Sequence, residues 1–406
     1  MEVLHDPCCG LDVHRKTVIA CLKTGSKKEV RTFGTTTPRL RDLSTWLLNG
    51  SCAYVAMEST GVYWKPIYNV LEQAGVPATV VNARHIKAVP GRKTDVKDAE
   101  WICDLARHGL VRASFIPDRP QRELQELIRY RRGLINERTR EVNRVHKVLE
   151  GANIKLATVV EDLLGVSARA MIEAIANGKT DPDEITSEIR TRLKAPLCEI
   201  REAVAGTVGD HQRLLLTAQL SRIDAVNERV ALLSAEIDGR LEGHERLIER
   251  LDEIPGVGRI TAQELLAALG TDMSQFPNEA HLASWAKLCP GANQSAGKRK
   301  PVGTGHGNPY LRSTLVEAAR AAVRKRNTYL RDKYYRLLAR KGSNRALVAV
   351  AHTILVIAYH IIKDESADYH DLGIGYLRKQ DKEALTRQLV RRLQKLGHKV
   401  TLESAA

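Results

Sequence analysis

Four carboxylates fall at three places from which metal-assisted phosphoryl transfer could be built. Asp12 lies in the tract Gly10-Leu11-Asp12-Val13-His14, and Glu58 closes the apolar run Tyr54-Val55-Ala56-Met57. Asp95 and Asp98 stand three residues apart in Lys93-Thr94-Asp95-Val96-Lys97-Asp98-Ala99. Magnesium prefers oxygen donors, and a metal that bridges a phosphate while leaving room for nucleophile and leaving group needs few protein carboxylates. An Asp inside an apolar strand is disfavoured and costly to bury without a partner or a metal, which marks Asp12. Glu58 is placed where a buried strand emerges from its sheet. Residues i and i+3 share a helix face, so Asp95 and Asp98 can reach one metal cluster from a first helical turn. Plainer roles stay open: Asp95 and Asp98 would also favour the positive end of a helix, and Glu58 could neighbour a helix cap. The set says more than its members, because a mixed sheet covered by helices would bring its three places together.

The elements that must position these residues alternate over the first hundred positions. Gly10 to Leu22 reads as a first strand, with Thr24-Gly25-Ser26 as a turn and Glu29 to Phe33 as the return strand. Leu40, Leu43 and Leu47 give Pro38 to Leu48 helical spacing. Cys52 to Met57 and Ala78 to Val81 suit buried strands, separated by a helix from Val62 to Gln73 that closes at Gly75. A helix from Thr94 to His108 puts Val96, Ala99, Ile102 and Leu105 on one face and ends at Gly109. Strand, strand, helix, strand, helix, strand, helix predicts an RNase-H-like sheet, an order that other α/β folds share.

Downstream the pattern becomes helical. Arg122 to about Leu149 is basic and helical, and short helices broken at Pro182 and Pro196 follow. From Leu216 through Ile223, Val230, Ile237 and Ile248 to Leu251 the apolar residues recur at alternating four- and three-residue steps, the seam of a coiled coil. Asn227, Ser234 and His244 interrupt that stripe; the alternative is a helix packed inside its own domain. A second, mainly helical globular region follows Ile254, and a basic amphipathic tail begins at Tyr376, with eight Lys or Arg against three acidic residues. The boundaries expected are 1–115, 116–250, 251–375 and 376–406.

Two C-terminal features could meet phosphate. Ile254-Pro255-Gly256-Val257-Gly258 before a helix reads as a helix-hairpin-helix-like turn, in which Gly256 and Gly258 permit close backbone approach and free amides can hold an anion. A plain tight turn between packed helices is the alternative. The loop from Cys289 to Asn308 carries Ser295, then Lys298, Arg299 and Lys300 among several glycines, a composition suited to approaching a polyanion. Ser284, Thr304 and Ser313 are further hydroxyls near basic residues, and most such groups only hydrogen-bond loops or caps.

Composition agrees with a nucleic-acid partner. Sixty-three Lys and Arg against 48 Asp and Glu leave a net charge of +15, and 43% hydrophobic residues suffice for globular cores. Leu347 to Ile362 approaches membrane hydropathy but is interrupted by His352 and His360 and falls short of the ~20 apolar residues of a span, so a buried helix and no membrane partner are expected. The start MEVLHDPCCG has no basic segment leading into an apolar run, so a cytoplasmic location is the expectation. Seven cysteines without a CxxC pair argue for reduced, mostly buried thiols.

The tracts GLDVHRKTV, AMESTGVYW and GRKTDVKDAEWICDLARHGL, with EIPGVGRITA and the Ser295 loop far downstream, resemble the DEDD transposases of the insertion-sequence "one-ten" family over nearly the whole chain. The resemblance implies a RuvC-like N-terminal domain, a helical coiled-coil middle and a C-terminal transposase domain. It implies Asp12, Glu58, Asp95 and Asp98 as ligands of Mg2+, and Ser295 as a nucleophile that forms a covalent phosphoserine with DNA. It also implies a structured bridge RNA that pairs with donor and target DNA, and a homo-oligomer, dimer or tetramer, with composite active sites. Beside this stand hydrolysis by water, as in RuvC-like junction nucleases, and a non-catalytic nucleic-acid scaffold.

Overall fold

The computed structural model describes residues 2–59, 61–81, 95–111, 113–291, 294–295, 298–299, 303–305 and 307–401. The chain divides into two compact units at Asp118 and Arg119.

The first unit is built on five strands, β1 (Cys8–Val13), β2 (Thr17–Thr24), β3 (Lys27–Gly34), β4 (Tyr54–Glu58) and β5 (Ala78–Val81), in the order β3-β2-β1-β4-β5. β1, β2 and β3 pair antiparallel, while β4 runs parallel to β1 and β5 parallel to β4. Gly10 to Leu22 is therefore two strands and not one. The polar run His14-Arg15-Lys16 cannot continue a buried strand, and the chain reverses there with the His14 amide donating to the Thr17 carbonyl at 3.0 Å. Helices α1 (Thr37–Asn49), α2 (Trp64–Gln73) and α3 (Asp95–Arg107) cover the sheet. Leu40, Leu43 and Leu47 of α1 and Ile67 and Leu71 of α2 pack on the face carrying Cys9, Leu11, Val55 and Met57. Ala99, Ile102, Cys103 and Ala106 of α3 pack on the opposite face, against Cys8, Cys21 and Ala56.

The second unit is mainly helical. It comprises α4 (Arg119–Gly151), α5 (Leu156–Val159), α6 (Val166–Ala176), α7 (Pro182–Thr186), α8 (Leu197–Val204), α9 (Asp210–Arg240), α10 (Glu245–Asp252), α11 (Arg259–Leu269) and α12 (Glu279–Trp285). A small hairpin of β6 (Gln294–Ser295) and β7 (Lys298–Arg299) precedes α13 (Pro309–Ala322), α14 (Tyr329–Lys341), α15 (Ser343–Lys363) and α16 (Tyr376–Lys395). Pro182 and Pro196 start helices and do not break them: α7 opens on Pro182 behind the Asp181 cap, and Pro196 immediately precedes α8. A fixed φ and a missing N–H cost nothing at those positions.

The apolar seam finds its partner within the same chain. Leu216, Leu220 and Ile223 of α9 share a core with Val145 and Leu149 of α4, and Ile237 shares another with Leu124 and Ile128, so the two helices form an antiparallel pair. The seam does not run unbroken to Leu251. α9 ends at Arg240, the chain turns through Gly243 at φ 87°, and α10 carries Ile248 and Leu251 into the C-terminal core. Asn227 is exposed, and Ser234 meets the Arg131 guanidinium at 3.5 Å. Among the described residues α15 alone is long and apolar enough to cross a membrane by length and composition. Ala346, Val350, Ala351, Ile354, Leu355 and Ala358 bury it at the centre of that same core.

Candidate active site

β1 and β4 align Cys8 with Tyr54 and, at the last rung of the ladder, Leu11 with Met57. One residue further along both strands stand Asp12 and Glu58, at the same level on neighbouring strands about 4.8 Å apart. Side chains alternate across a sheet, and Leu11 and Met57 face α1 and α2, so Asp12 and Glu58 occupy the α3 face. Asp12 is only 7% exposed. His14 Nε2 lies 3.0 Å from Asp12 Oδ2. His14, one residue beyond the end of β1, is a neighbour of Asp12 that the carboxylate spacing alone does not mark.

α3 crosses this face at minimal distance. A Cβ on Gly10 would lie 2.2 Å from the Ala99 carbonyl oxygen and 2.4 Å from the Cys103 nitrogen. Deeper in, the Cys103 thiol donates to the Cys8 carbonyl at 3.2 Å. The helix therefore runs opposite to β1, matching Cys103 to Cys8 and Ala99 to Gly10. Gly10 lies against both Ala99 and Cys103, so the residues before Ala99 continue towards the Asp12 end of β1. Asp98 is half-buried beside Ala99 in the first turns of α3, at the same end of the sheet. The Asp95 side chain lies outside the described residues.

Asp12 and Glu58 are thus adjacent, and the start of α3 lies over the end of the sheet that bears them. Among the described residues, which leave out the Asp95 side chain, no group of three or more His, Cys, Asp or Glu is close enough to hold a metal ion. Carboxylate oxygens at the ends of two adjacent inner strands, one of them nearly buried, fit a hard divalent cation.

Behind these strand ends the thiols of Cys8, Cys21 and Cys103 are buried together. At Cys103 a hydrogen bond with Cys21 lowers the pKa, but one with Cys8 and burial outweigh it and hold the thiol up at about 12. Cys52, on the other face, is pushed up to about 11 by burial.

In the second unit Gly256 has φ 85°, and a Cβ there would lie 2.1 Å from the Ala318 carbonyl oxygen of α13. Its close backbone approach is therefore made to a helix of its own unit. Gly258 is exposed at the N-terminus of α11, beside the Asp252 carboxylate. Arg259 next to it is held by Asp238 at 2.8 Å. Hydrogen bonding and charge from Asp238 raise its pKa, with Glu245 and Glu249 adding to that field, so the surroundings of this helix start are acidic.

The Ser295 segment, read as a loop, is a two-rung hairpin that sets Ser295 opposite Lys298 and Gln294 opposite Arg299. The side chains of Ser295, Lys298 and Arg299 and the whole of Lys300 lie outside the described residues. The return path is anchored: a Cβ on Gly307 would lie 2.7 Å from the Ala286 carbonyl, and Asn308 caps α13 by accepting from the Tyr310 and Leu311 amides at 3.0 and 3.3 Å. Arg132 of α4 fixes α13 from below, since its guanidinium binds the Glu264 carboxylate and donates to Thr314, Ser313 and Glu317. That network has no local motif in the sequence, because its members are 132 to 185 positions from Arg132.

Comparison with known proteins finds transposases. A DEDD transposase model of IS110 matches residues 9–154, and the model described as transposase IS116/IS110/IS902 family matches residues 248–336. A probable family 20 transposase of Pseudomonas aeruginosa is 26% identical over 88% of this chain and 93% of its own length. The transposase for insertion sequence element IS1111A of Coxiella burnetii is 27% identical over 73% of this chain and 74% of its own. The IS110 insertion-element protein of Streptomyces coelicolor is 31% identical over 68% of this chain and 72% of its own. The Thermus thermophilus RuvC structure aligns over 26% of this chain and 99% of its own at 14% identity and a TM-score of 0.21. The chain belongs to the IS110 family of insertion-sequence transposases.

Proposed function

We propose that this transposase cuts and rejoins DNA through Ser295, with Asp12, Glu58, Asp95 and Asp98 as the residues that would hold Mg2+. The observation that carries the reading is the alignment of β1 with β4, which makes Asp12 and Glu58 neighbours beneath the start of α3. A divalent ion bound there would neutralise phosphate charge and lower the pKa of a nearby hydroxyl. His14, 3.0 Å from Asp12, orients that carboxylate. The Ser295 oxygen attacks phosphorus and loses its proton, the bond from phosphorus to a deoxyribose oxygen breaks, and that oxygen takes up a proton. The phosphoserine diester keeps the bond energy, so a hydroxyl of another strand can displace Ser295 and reseal the backbone. Lys298, Arg299 and Lys300, on or next to the strand opposite Ser295, would pair with phosphates.

Cations of this kind address the backbone and not base edges, which suits a protein that leaves sequence choice to a structured bridge RNA pairing with donor and target DNA. A homo-oligomer, dimer or tetramer, would let the two units of different protomers complete one site.

A denaturing gel tests the serine step. The wild type should shift end-labelled DNA into a protein-linked band, which Ser295→Ala abolishes. Normal cleavage by Ser295→Ala with no linked band would replace the serine step by attack of water.

A further inference from the structure

Between Arg320 and Arg345 the chain carries ten basic residues and one acidic residue, Asp332. That excess is most of the net +15 of the whole protein. Elsewhere in the same unit several cations are paired, as Arg119 with Glu123, Arg144 with Glu141, Arg169 with Glu173 and Asp224, and Arg250 with Asp368, and the exposed unpaired ones, such as Arg140, Lys147 and Arg229, are scattered along the chain. Among the described residues, Arg324, Lys325 and Arg326 before α14 form no ion pair, and neither do Arg340, Lys341 and Arg345 after it. All six are exposed.

α14 is built to present this charge. Leu330 is its one fully buried residue. Arg331 spends its guanidinium on the Val323 and Arg324 carbonyls at 3.1 and 3.3 Å, which fixes the turn before the helix, and it lies 5.0 Å from the ring centre of Tyr335, itself half exposed. Lys333 is half-buried with the Tyr329 hydroxyl at 3.4 Å as its hydrogen-bond partner, and burial draws its pKa down. The segment's own acid, Asp332, sits in the first turn, where the helix dipole holds it, and Asp371 from downstream accepts from the Tyr329 amide at 2.9 Å with Lys325 in its field. Thirteen helical residues span about 20 Å, so the two exposed trios flank a length of roughly six base pairs.

Exposed cations without ion pairs, repelling one another beside a partly desolvated ammonium, are stabilised by an anion of matching length. We infer that α14 and its two flanking turns form a sequence-independent binding edge for the phosphodiester backbone of nucleic acid. The inference rests on the recombinase reading for the choice of nucleic acid among polyanions. Duplex DNA and structured RNA offer the same phosphates, and the test separates them.

The full chain carrying Asp12→Asn, so that cleavage plays no part, is titrated by fluorescence anisotropy with a labelled duplex DNA and a labelled stem-loop RNA over a potassium chloride series. Two triple variants are compared, Arg324→Ala with Lys325→Ala and Arg326→Ala, and Arg340→Gln with Lys341→Gln and Arg345→Gln. The control joins Lys179→Ala to Lys194→Ala, whose ammonium groups are already held by Glu188 and Glu161. Each triple that keeps the parent circular dichroism should weaken binding at least about tenfold and lower the log–log salt slope on duplex by about 2.7, three phosphates at about 0.9 each. Loss confined to duplex identifies DNA as the occupant, and loss confined to the stem-loop identifies RNA. Unchanged slopes on both probes in a folded triple, or an equal loss in the control, overturn the inference. Failure of the serine step would leave this measurement intact, and failure here would leave the serine step intact.

Discussion

The carbonyl oxygen of Ala99 stands 2.2 Å from where a Cβ of Gly10 would be, so α3 rests on β1 backbone against backbone. Gly10→Ala should therefore push the helix outward and carry its first turn away from Asp12 and Glu58. Overpacking of this kind costs about 1–3 kcal/mol, and a 1 Å displacement at a reacting centre can cost about a hundredfold in rate. Thermal melting with single-turnover cleavage checks both. Gly133→Ala, in the middle of α4 with nothing within 4 Å of its Cβ position, should instead stabilise by about 0.5–1 kcal/mol.

Asp12→Asn should abolish strand cleavage while leaving nucleic-acid affinity within about twofold, because it removes one buried charge and no exposed cation. His14→Ala, which removes a group that orients Asp12, should cost about 10–100-fold in cleavage. Equal cleavage by Asp12→Asn and the parent would reduce the carboxylate pair to a structural feature.

Gly256→Ala and Gly258→Ala should part company. At Gly256 a side chain meets φ 85° and the Ala318 carbonyl at 2.1 Å, so a loss of about 3 kcal/mol or more is expected from urea unfolding. At Gly258 the nearest atom is the Asp252 carboxylate at 3.7 Å, and the cost should stay near 1 kcal/mol or below. A fall in DNA affinity for both, with stability unchanged, would restore a phosphate-gripping role to this turn.

Thiol labelling reports the packing behind the site. Cys198 is exposed, whereas Cys8, Cys9, Cys21, Cys52 and Cys103 are buried. With burial holding Cys52 at about 11, and the Cys8 hydrogen bond and burial holding Cys103 at about 12, these two are protonated at pH 8. Iodoacetamide at that pH should modify Cys198 rapidly and the five buried thiols only after denaturant, as read by mass spectrometry of peptides.

The adjacency of Asp12 and Glu58 is legible in sequence because each carboxylate ends a short apolar run, and strand ends are where buried charge can reach solvent. The break at His14 to Lys16 is less legible, since apolar residues on both sides invite one long strand. A three-residue polar interruption decides between one strand and two only when pairing across the turn is known. Likewise the heptad spacing of α9 marks a seam but not its owner; Val145, Leu149 and Ile128 of α4 supply the partner from inside the same chain. Gly256 reads as a phosphate-approach glycine, and the sequence does not show that Ala318 and Ala322, more than sixty residues away, are what a Cβ there would meet. Links of that range, like those Arg132 makes, leave no local periodicity.

The antiparallel pair of α4 and α9 joins two nuclei of apolar side chains that lie about 30 Å apart along α4, from Ile128 to Leu149. The outer nucleus, covered by the short helices α6, α7 and α8, shares no buried residue with the inner one. Such a construction behaves as a detachable head on a handle. Evolution can enlarge, shrink or exchange the head while the handle's root stays seated, and a melting curve of the second unit should resolve into two separate steps.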